Sequence, residues 1–242
     1  VNTGAVLACA TYPSYDLNTY YQNYEALSKD KSSPLWNRAL MSTYEPGSTM
    51  KPAIAAAGLE EGVITETSKF YCSHIYRQFT DTTFKCLGSH GWIDVKNALN
   101  QSCNIYFYET GRLLGINRMN DYCTRFGLGQ KTGVEINESS GVLAGIAYRE
   151  AHGGTWYPGD TVQAAIGQSD NLFTPIQLCS YVSTIANGGT RYRAHFVKSV
   201  KSSDYSETLL SNDGVVLNET GVSQNSIRIV KEGMGMLGAR LP

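Results

Sequence analysis

Ser48 and Lys51 stand three residues apart in the stretch Tyr44-Glu45-Pro46-Gly47-Ser48-Thr49-Met50-Lys51-Pro52. An apolar run from Ala53 to Leu59 follows and Gly62 reads as a stop, so the pair sits at the start of a predicted helix. Residues i and i+3 share a helical face, with Cβ atoms about 5–6 Å apart. Ser48 Oγ and Lys51 Nζ are therefore within reach of each other. A serine hydroxyl becomes a working nucleophile when an adjacent base takes its proton. First-turn N–H groups favour a developing oxyanion. Pro52 is tolerable there, because a first-turn N–H has no partner inside the helix. Alone, S-x-x-K equally describes a surface serine and lysine near a helix start, so the rest of the chain must decide.

A second set is Cys72, Cys86, His90 and Cys103, with Cys86 and His90 in C-x3-H spacing. A Cys72–Cys86 disulfide, a group of buried thiols, and a structural zinc site are all open readings. Three thiolates and one imidazole make a closed tetrahedral set. Those ligands suit Zn²⁺ better than Mg²⁺ or Ca²⁺, which favour oxygen. Cys9, Cys123 and Cys179 fall on apolar strand or helix faces and read as buried thiols.

The elements that must position these residues follow from local pattern. Ala5 to Ala10 reads as a short apolar strand, and residues 16–36 as a loop with one short helix. Residues 63–92 look irregular. Asp94 caps a helix through Val95, Ala98 and Leu99, and a second helix runs through Tyr108 and Leu113 to Gly115. Met119, Tyr122, Cys123 and Phe126 recur at helical spacing, with Asn117 as cap and Gly127 as stop. Residues 127–173 read as mostly loop. Thr174-Pro175-Ile176-Gln177 is a capping box that opens a helix with Leu178, Val182 and Ile185 as its apolar stripe. Tyr192, Ala194 and Phe196 alternate like an edge strand, residues 201–222 suit a hairpin or loop, and a last helix starts near Ser226.

The 242 residues suit one large domain and can bury a sizeable core without disulfides. Twenty basic against 21 acidic side chains give a net charge of −1, which offers nothing to a nucleic acid. The 16 tyrosines are scattered and read as packing and groove lining. No apolar run approaches the roughly 18 residues of a membrane span, and no signal peptide is evident.

In order along the chain, Tyr44 to Lys51 resembles the first catalytic motif of the penicillin-binding proteins, and Ser102-Cys103-Asn104 resembles their S-x-N motif. Asn37-Arg38-Ala39, Gly127 to Gly133, Trp156 to Asp160, Ile166-Gly167-Gln168 and Thr174-Pro175 resemble the transpeptidase domain of class B members, nearest to the elongation type. The resemblance covers nearly the whole chain. It implies an α/β (α+β) transpeptidase fold, with a helical subdomain and an antiparallel sheet that is incomplete in this chain. It also implies a serine-type D-Ala-D-Ala transpeptidase of cell-wall synthesis. Ser48 would attack the penultimate D-alanine of a stem peptide, with Lys51 as base, Ser102 as proton shuttle and Asn104 holding the substrate amide. Lys51 would need its ordinary pKa of about 10.4 lowered by roughly 3, which burial favours.

The family's third motif, K-T-G on a strand, supplies the other oxyanion donor. Lys131-Thr132-Gly133 follows too soon after Asn104 and matches the family's structural G-x-G-x-x-T-G turn instead. The expectation is therefore a transpeptidase domain over 1–242, truncated at its C-terminus and lacking anchor and pedestal, inactive by itself, with the remaining strands deleted or held in a separate chain. The implied partners are peptidoglycan stem peptides, β-lactam antibiotics and cell-wall elongation proteins, at the extracytoplasmic face of the bacterial cytoplasmic membrane. The resemblance also favours zinc at Cys72, Cys86, His90 and Cys103, needed for structure and not for chemistry. Two other classes compete. A β-lactamase or β-lactam sensor shares the fold, although the E-x-x-L-N string of a class A lactamase is absent from the sequence. A catalytically silent structural module is the other.

Overall fold

The computed structural model describes residues 1–239. The predicted N-terminal strand is not one. Ala5 alone bridges to His195, while Val6 N–H donates to the His195 carbonyl and His195 N–H to that of Gly4. Leu7 is 95% exposed. Strand formation needs a ladder partner as well as an apolar run, and residues 6–10 pair with none among the described residues beyond this bridge. Helix α1 (Tyr20–Lys29) buries no residue, and its Tyr20 meets Tyr21 and Tyr24 edge-on at the surface.

The core is built around one helix. After α2 (Arg38–Met41), capped by the Asn37 side chain, a 3-10 turn over Gly47–Met50 passes into α3 (Lys51–Glu60). Lys51 through Gly58 are all buried. A helix apolar on every side belongs inside, and its small residues Ala53, Ala55, Ala56, Ala57 and Gly58 let neighbours approach closely.

The stretch expected to be irregular forms two antiparallel pairs. Strand β1 (Phe70–Cys72) and strands β2 (Ile75–Tyr76), β3 (Phe84–Lys85) and β4 (Gly91–Ile93) pair as β1 with β4 and β2 with β3. Strands of two or three residues are too short to show alternation in sequence. They place Cys72 opposite Gly91, beside His90.

Helix α4 (Val95–Asn100) is capped by Asp94 as predicted, and α5 (Asn104–Leu114) and α6 (Ile116–Arg125) follow. Gly115, not Asn117, caps α6, because the chain reverses there at φ +74°. Met119, Tyr122, Cys123 and Phe126 are buried as their spacing predicted. Two short helices, α7 (Ile146–Ala151) and α8 (Pro158–Ala164), lie where loop was expected. Each is too short to show a helical period. α8 meets α5 at Gly111, where a Cβ would come within 2.4 Å of the Ala165 methyl.

Helix α9 (Pro175–Ala186) opens on the predicted capping box. Its inward face carries Tyr181 and Thr184 as well as Ile185, whereas Val182 is 38% exposed. Strand β5 (Thr190–Tyr192) pairs with β8 (Val216–Glu219), and β6 (Ser199–Lys201) with β7 (Thr208–Ser211). Phe196 is outside any strand. Helix α10 (Gln224–Gly238), capped by Ser223, packs on α4 and α3. The architecture is α/β (α+β), a helical body with short antiparallel strand pairs. An apolar groove of about 450 Å³ runs between residues 4–10 and α9 with β5. Cys9 and Cys179 line it and are exposed, against expectation, while Cys123 is buried. No helix of the described residues is long and apolar enough to cross a membrane.

Candidate functional site

Ser48 sits in a turn held from behind. Tyr44 and Phe173 exchange two backbone hydrogen bonds of 2.9 Å, and Gly47 N–H donates to the Gly167 carbonyl at 2.9 Å. Gly167, at φ +75°, must be glycine, since a Cβ would lie 2.2 Å from the Gly47 oxygen. Fully buried Asn171 fixes that backing loop, accepting from Ala144 N–H and donating to the carbonyls of Ala164 and Gln168. Arg149 bridges Asp170 at 2.6 Å and Asp160 at 3.3 Å across the same loop. Asn171 and Arg149 carry no sequence signal, because their roles depend on which loops meet.

Lys51 is 1% exposed, and its Nζ lies 3.1 Å from Ser48 Oγ, 2.9 Å from Ser102 Oγ, 2.8 Å from the Ser102 carbonyl and 2.7 Å from Asn104 Oδ1. Ser102 Oγ is 2.9 Å from Ser48 Oγ. The structure thus brings together Ser48, Lys51, Ser102 and Asn104. Burial lowers the Lys51 pKa from 10.5 to about 8, opposed in part by the charge shared by the neighbouring Cys86–Cys103 pair. Desolvation penalises the ammonium more than the amine.

Ser102 reaches this point because it adopts φ +51°, a left-handed conformation uncommon for serine. Such a backbone persists only when its surroundings hold it. Cys103 N–H donates to the Ala98 carbonyl, Asn104 N–H to Cys86 Sγ at 3.2 Å, and Asn104 Nδ2 to the Lys85 carbonyl at 3.2 Å. The S-x-N turn is therefore tied to β3 and to a cysteine.

That cysteine belongs to a cluster. The donor atoms of Cys72, Cys86, His90 and Cys103 all lie within 4.8 Å of one another. His90 Nδ1 is 3.4 Å from Cys72 Sγ and 3.6 Å from Cys86 Sγ, and the Cys86 and Cys103 sulfurs are 3.9 Å apart. Tetrahedral zinc with bonds of about 2.3 Å to sulfur and about 2.0 Å to nitrogen would give edges of about 3.8 Å and about 3.5 Å. The residues fit such an ion. All six cysteines are free thiols, so the Cys72–Cys86 disulfide is not present. The hydrogen bond shared with Cys103, with backbone N–H donors, pushes the Cys86 thiol down, while the same partner and burial push the Cys103 thiol up.

Lys131-Thr132-Gly133 forms no strand. It wraps the Glu138 carboxylate, which accepts from Thr132 N–H at 3.0 Å, Thr132 Oγ1 at 2.8 Å and Gly133 N–H at 2.7 Å. Arg191 closes the turn by donating to the Lys131 carbonyl. This is the structural turn expected of it.

Residues 1–237 match the penicillin-binding protein transpeptidase domain. The peptidoglycan D,D-transpeptidase MrdA of Salmonella typhimurium is 34% identical over 212 residues, covering 82% of this chain and 34% of that protein. The chain thus spans about a third of the length of the curated relatives it matches. Pseudomonas aeruginosa PBP2, in complex with WCK 5153, superposes with a TM-score of 0.83 at 31% identity, over 99% of this chain and 58% of that one. Penicillin-binding protein A of M. tuberculosis, as an imipenem acyl-enzyme complex, gives a TM-score of 0.81 at 25% identity, over 97% and 55%. With its fold, its motif order and its family match in agreement, the chain belongs to the penicillin-binding protein transpeptidase family.

Proposed function

We propose that this chain carries the core of a peptidoglycan D,D-transpeptidase that works through a Ser48 acyl-enzyme and is a target of β-lactams. The observation that carries the reading is the Lys51 contact set. A neutral amine has two N–H donors and one lone pair. The Ser102 carbonyl and Asn104 Oδ1 can only accept, so they take the two donors. The lone pair is then left for a hydroxyl proton, and Ser102 Oγ at 2.9 Å and Ser48 Oγ at 3.1 Å both lie in reach. Because the Ser102 O–H donates to Ser48 Oγ, the Ser48 proton is the one free to pass to Lys51. Ser48 attacks the carbonyl of the penultimate D-alanine, and its own N–H stabilises the oxyanion. Ser102 passes the proton to the leaving D-alanine nitrogen. The acyl group then moves to the amine of a neighbouring stem peptide, which makes a cross-link.

The second oxyanion donor in this scheme comes from a K-T-G strand outside the 242 residues, supplied by the same polypeptide or another. Incubation with a fluorescent penicillin, read by gel and intact mass, tests the reading. A form that includes such a strand should gain one penicillin mass, and the 242-residue chain alone should label little. Failure of the longer form to label would favour the silent structural module. The same reading puts the protein at the extracytoplasmic face of the cytoplasmic membrane, with cell-wall elongation proteins as partners.

The Cys72, Cys86, His90 and Cys103 set is proposed to hold one structural zinc. Its four protein ligands leave no position for water, so the ion would tie β1 and the β3–β4 segment to the S-x-N turn without entering the chemistry. Elemental analysis should find close to one zinc per chain, and thiol titration after denaturation with chelator should count all six cysteines free. Four free thiols and no metal would instead establish a disulfide. Chelation should loosen the Ser102 turn and slow acylation while leaving Ser48 unmodified.

A further inference from the structure

The junction between the Gly47–Met50 turn and α3 contains a side chain that belongs to neither. In a regular α-helix Ala53 N–H would donate to the carbonyl four residues back, that of Thr49. Here the phenol of Tyr181, from α9, stands between them. Its oxygen accepts from Ala53 N–H at 3.2 Å, and its O–H donates to the Thr49 carbonyl at 3.0 Å. Tyr181 is fully buried, its ring edge-on to Phe126 at 5.8 Å, and burial raises its pKa, so the phenol keeps its proton.

We propose that Tyr181 is a positioning residue that sets the geometry of the Ser48–Lys51 pair by splicing its hydroxyl into the helix. The proposal rests on the reading of Ser48 as nucleophile and Lys51 as base.

The physical reason lies in how the two windings place residues three apart. In a 3-10 turn, i and i+3 eclipse. In an α-helix they are offset by about 60°, since each residue turns about 100° instead of about 120°. Ser48 lies in the 3-10 turn, and Lys51 N–H closes that turn on the Ser48 carbonyl. A direct bond from Ala53 N–H to Thr49 would draw the same residues into α winding. A hydroxyl inserted into the ladder holds the step open, and it satisfies the buried N–H and C=O that the opening would otherwise orphan. Tyr181 touches no reacting atom. It acts through the backbone on both sides of Lys51, at the Thr49 carbonyl between the pair and at Ala53 N–H beyond it. Pro52 contributes by removing the neighbouring N–H, so fewer donors pull this turn into an α ladder.

The test is Tyr181→Phe in the full natural polypeptide, with a crystal structure and saturation kinetics of penicillin acylation. The ring stays and only the hydroxyl leaves. The expected structure closes the gap between the Thr49 carbonyl and Ala53 N–H and carries Ser48 Oγ out of hydrogen-bond reach of Lys51 Nζ. The first-order acylation constant should fall roughly 10- to 100-fold, the cost of a misplacement of about 1 Å, while the dissociation constant of the noncovalent penicillin complex stays unchanged. Phe126→Leu, which loosens the same packing and keeps the hydroxyl, should lower Tm without lowering that rate constant. An unchanged Ser48–Lys51 distance in Tyr181→Phe would overturn the proposal. So would a rate loss no greater than that of Phe126→Leu, or a direct bond from Ala53 N–H to the Thr49 carbonyl in the wild-type crystal. A wild type that takes no penicillin would defeat the nucleophile reading instead, and the distance comparison would still decide the positioning claim.

Discussion

Ser48→Ala is expected to take no covalent penicillin adduct at all, in a form whose unmodified counterpart gains one penicillin mass. The substitution removes the only atom of the Ser48, Lys51, Ser102 and Asn104 set assigned to bond the acyl carbon. In serine hydrolases, loss of the nucleophile alone costs on the order of 10⁶-fold, about as much as losing the whole catalytic unit. What remains is noncovalent binding and oxyanion stabilisation, neither of which makes an ester. Ser102 Oγ, 2.9 Å away, does not stand in for it. It belongs to a different turn, and its backbone at φ +51° aims it at Lys51. The fold should be unaffected, because among the described residues Ser48 Oγ has no structural partner except the lysine and Ser102. Peptide mapping of the labelled protein is the measurement. A penicillin mass that persists in Ser48→Ala, on Ser102 or elsewhere, would sink the nucleophile assignment.

The second large effect is the pH dependence that Lys51 imposes on rate and stability together. With its pKa lowered to about 8 by burial, Lys51 could serve as the proposed base only when deprotonated. The acylation rate constant should therefore rise roughly tenfold per pH unit below pH 8 and level off near pH 9. Lys51→Ala should lower that constant by about 10²–10⁴-fold and flatten the profile. Stability follows from the same shift. The folded-state pKa lies below the unfolded value of 10.5, so between about 8 and 10.5 the unfolded chain binds more protons. Unfolding free energy therefore increases with pH across that window, by about 3 kcal/mol from this one group. Below pH 8 both states are protonated and the burial penalty is present in full. Denaturant titrations of wild type and Lys51→Met from pH 7 to 10.5 isolate the increment, which the variant should lack. Equal slopes in the two proteins would mean that Lys51 is not desolvated as its position implies.

Much of this site was legible in the sequence because it is local. Ser48 and Lys51 are three apart at a helix start, and that spacing alone brings their side chains together. Thr174 with Gln177, Asp94 as a helix cap, and the Met119–Phe126 spacing are likewise set within one turn or one helix, and the structure shows each as read. The cysteine–histidine grouping was legible as a candidate set, because thiolate and imidazole advertise their chemistry by type, and the structure brings its four donor atoms within 4.8 Å of one another.

Other features were decided by partners distant in sequence. Ala5–Ala10 had the composition of a strand and formed only a bridge, since strand formation belongs to a pair and not to a run. Residues 63–92 looked irregular because strands of two or three residues show no period, yet their cross-strand register gathers Cys72, Cys86 and His90 onto Cys103. The two thiols read as buried, Cys9 and Cys179, face a groove, because exposure depends on what lies opposite. Sequence by itself determined which residues could do the chemistry, since reactivity resides in side-chain type and close spacing. Only the tertiary structure decided whether they would. The φ of Ser102, the desolvation of Lys51 and the Tyr181 hydroxyl in the ladder between Thr49 and Ala53 each depend on a residue far along the chain being brought within about 3 Å, and burial and long-range contact leave no local pattern to read.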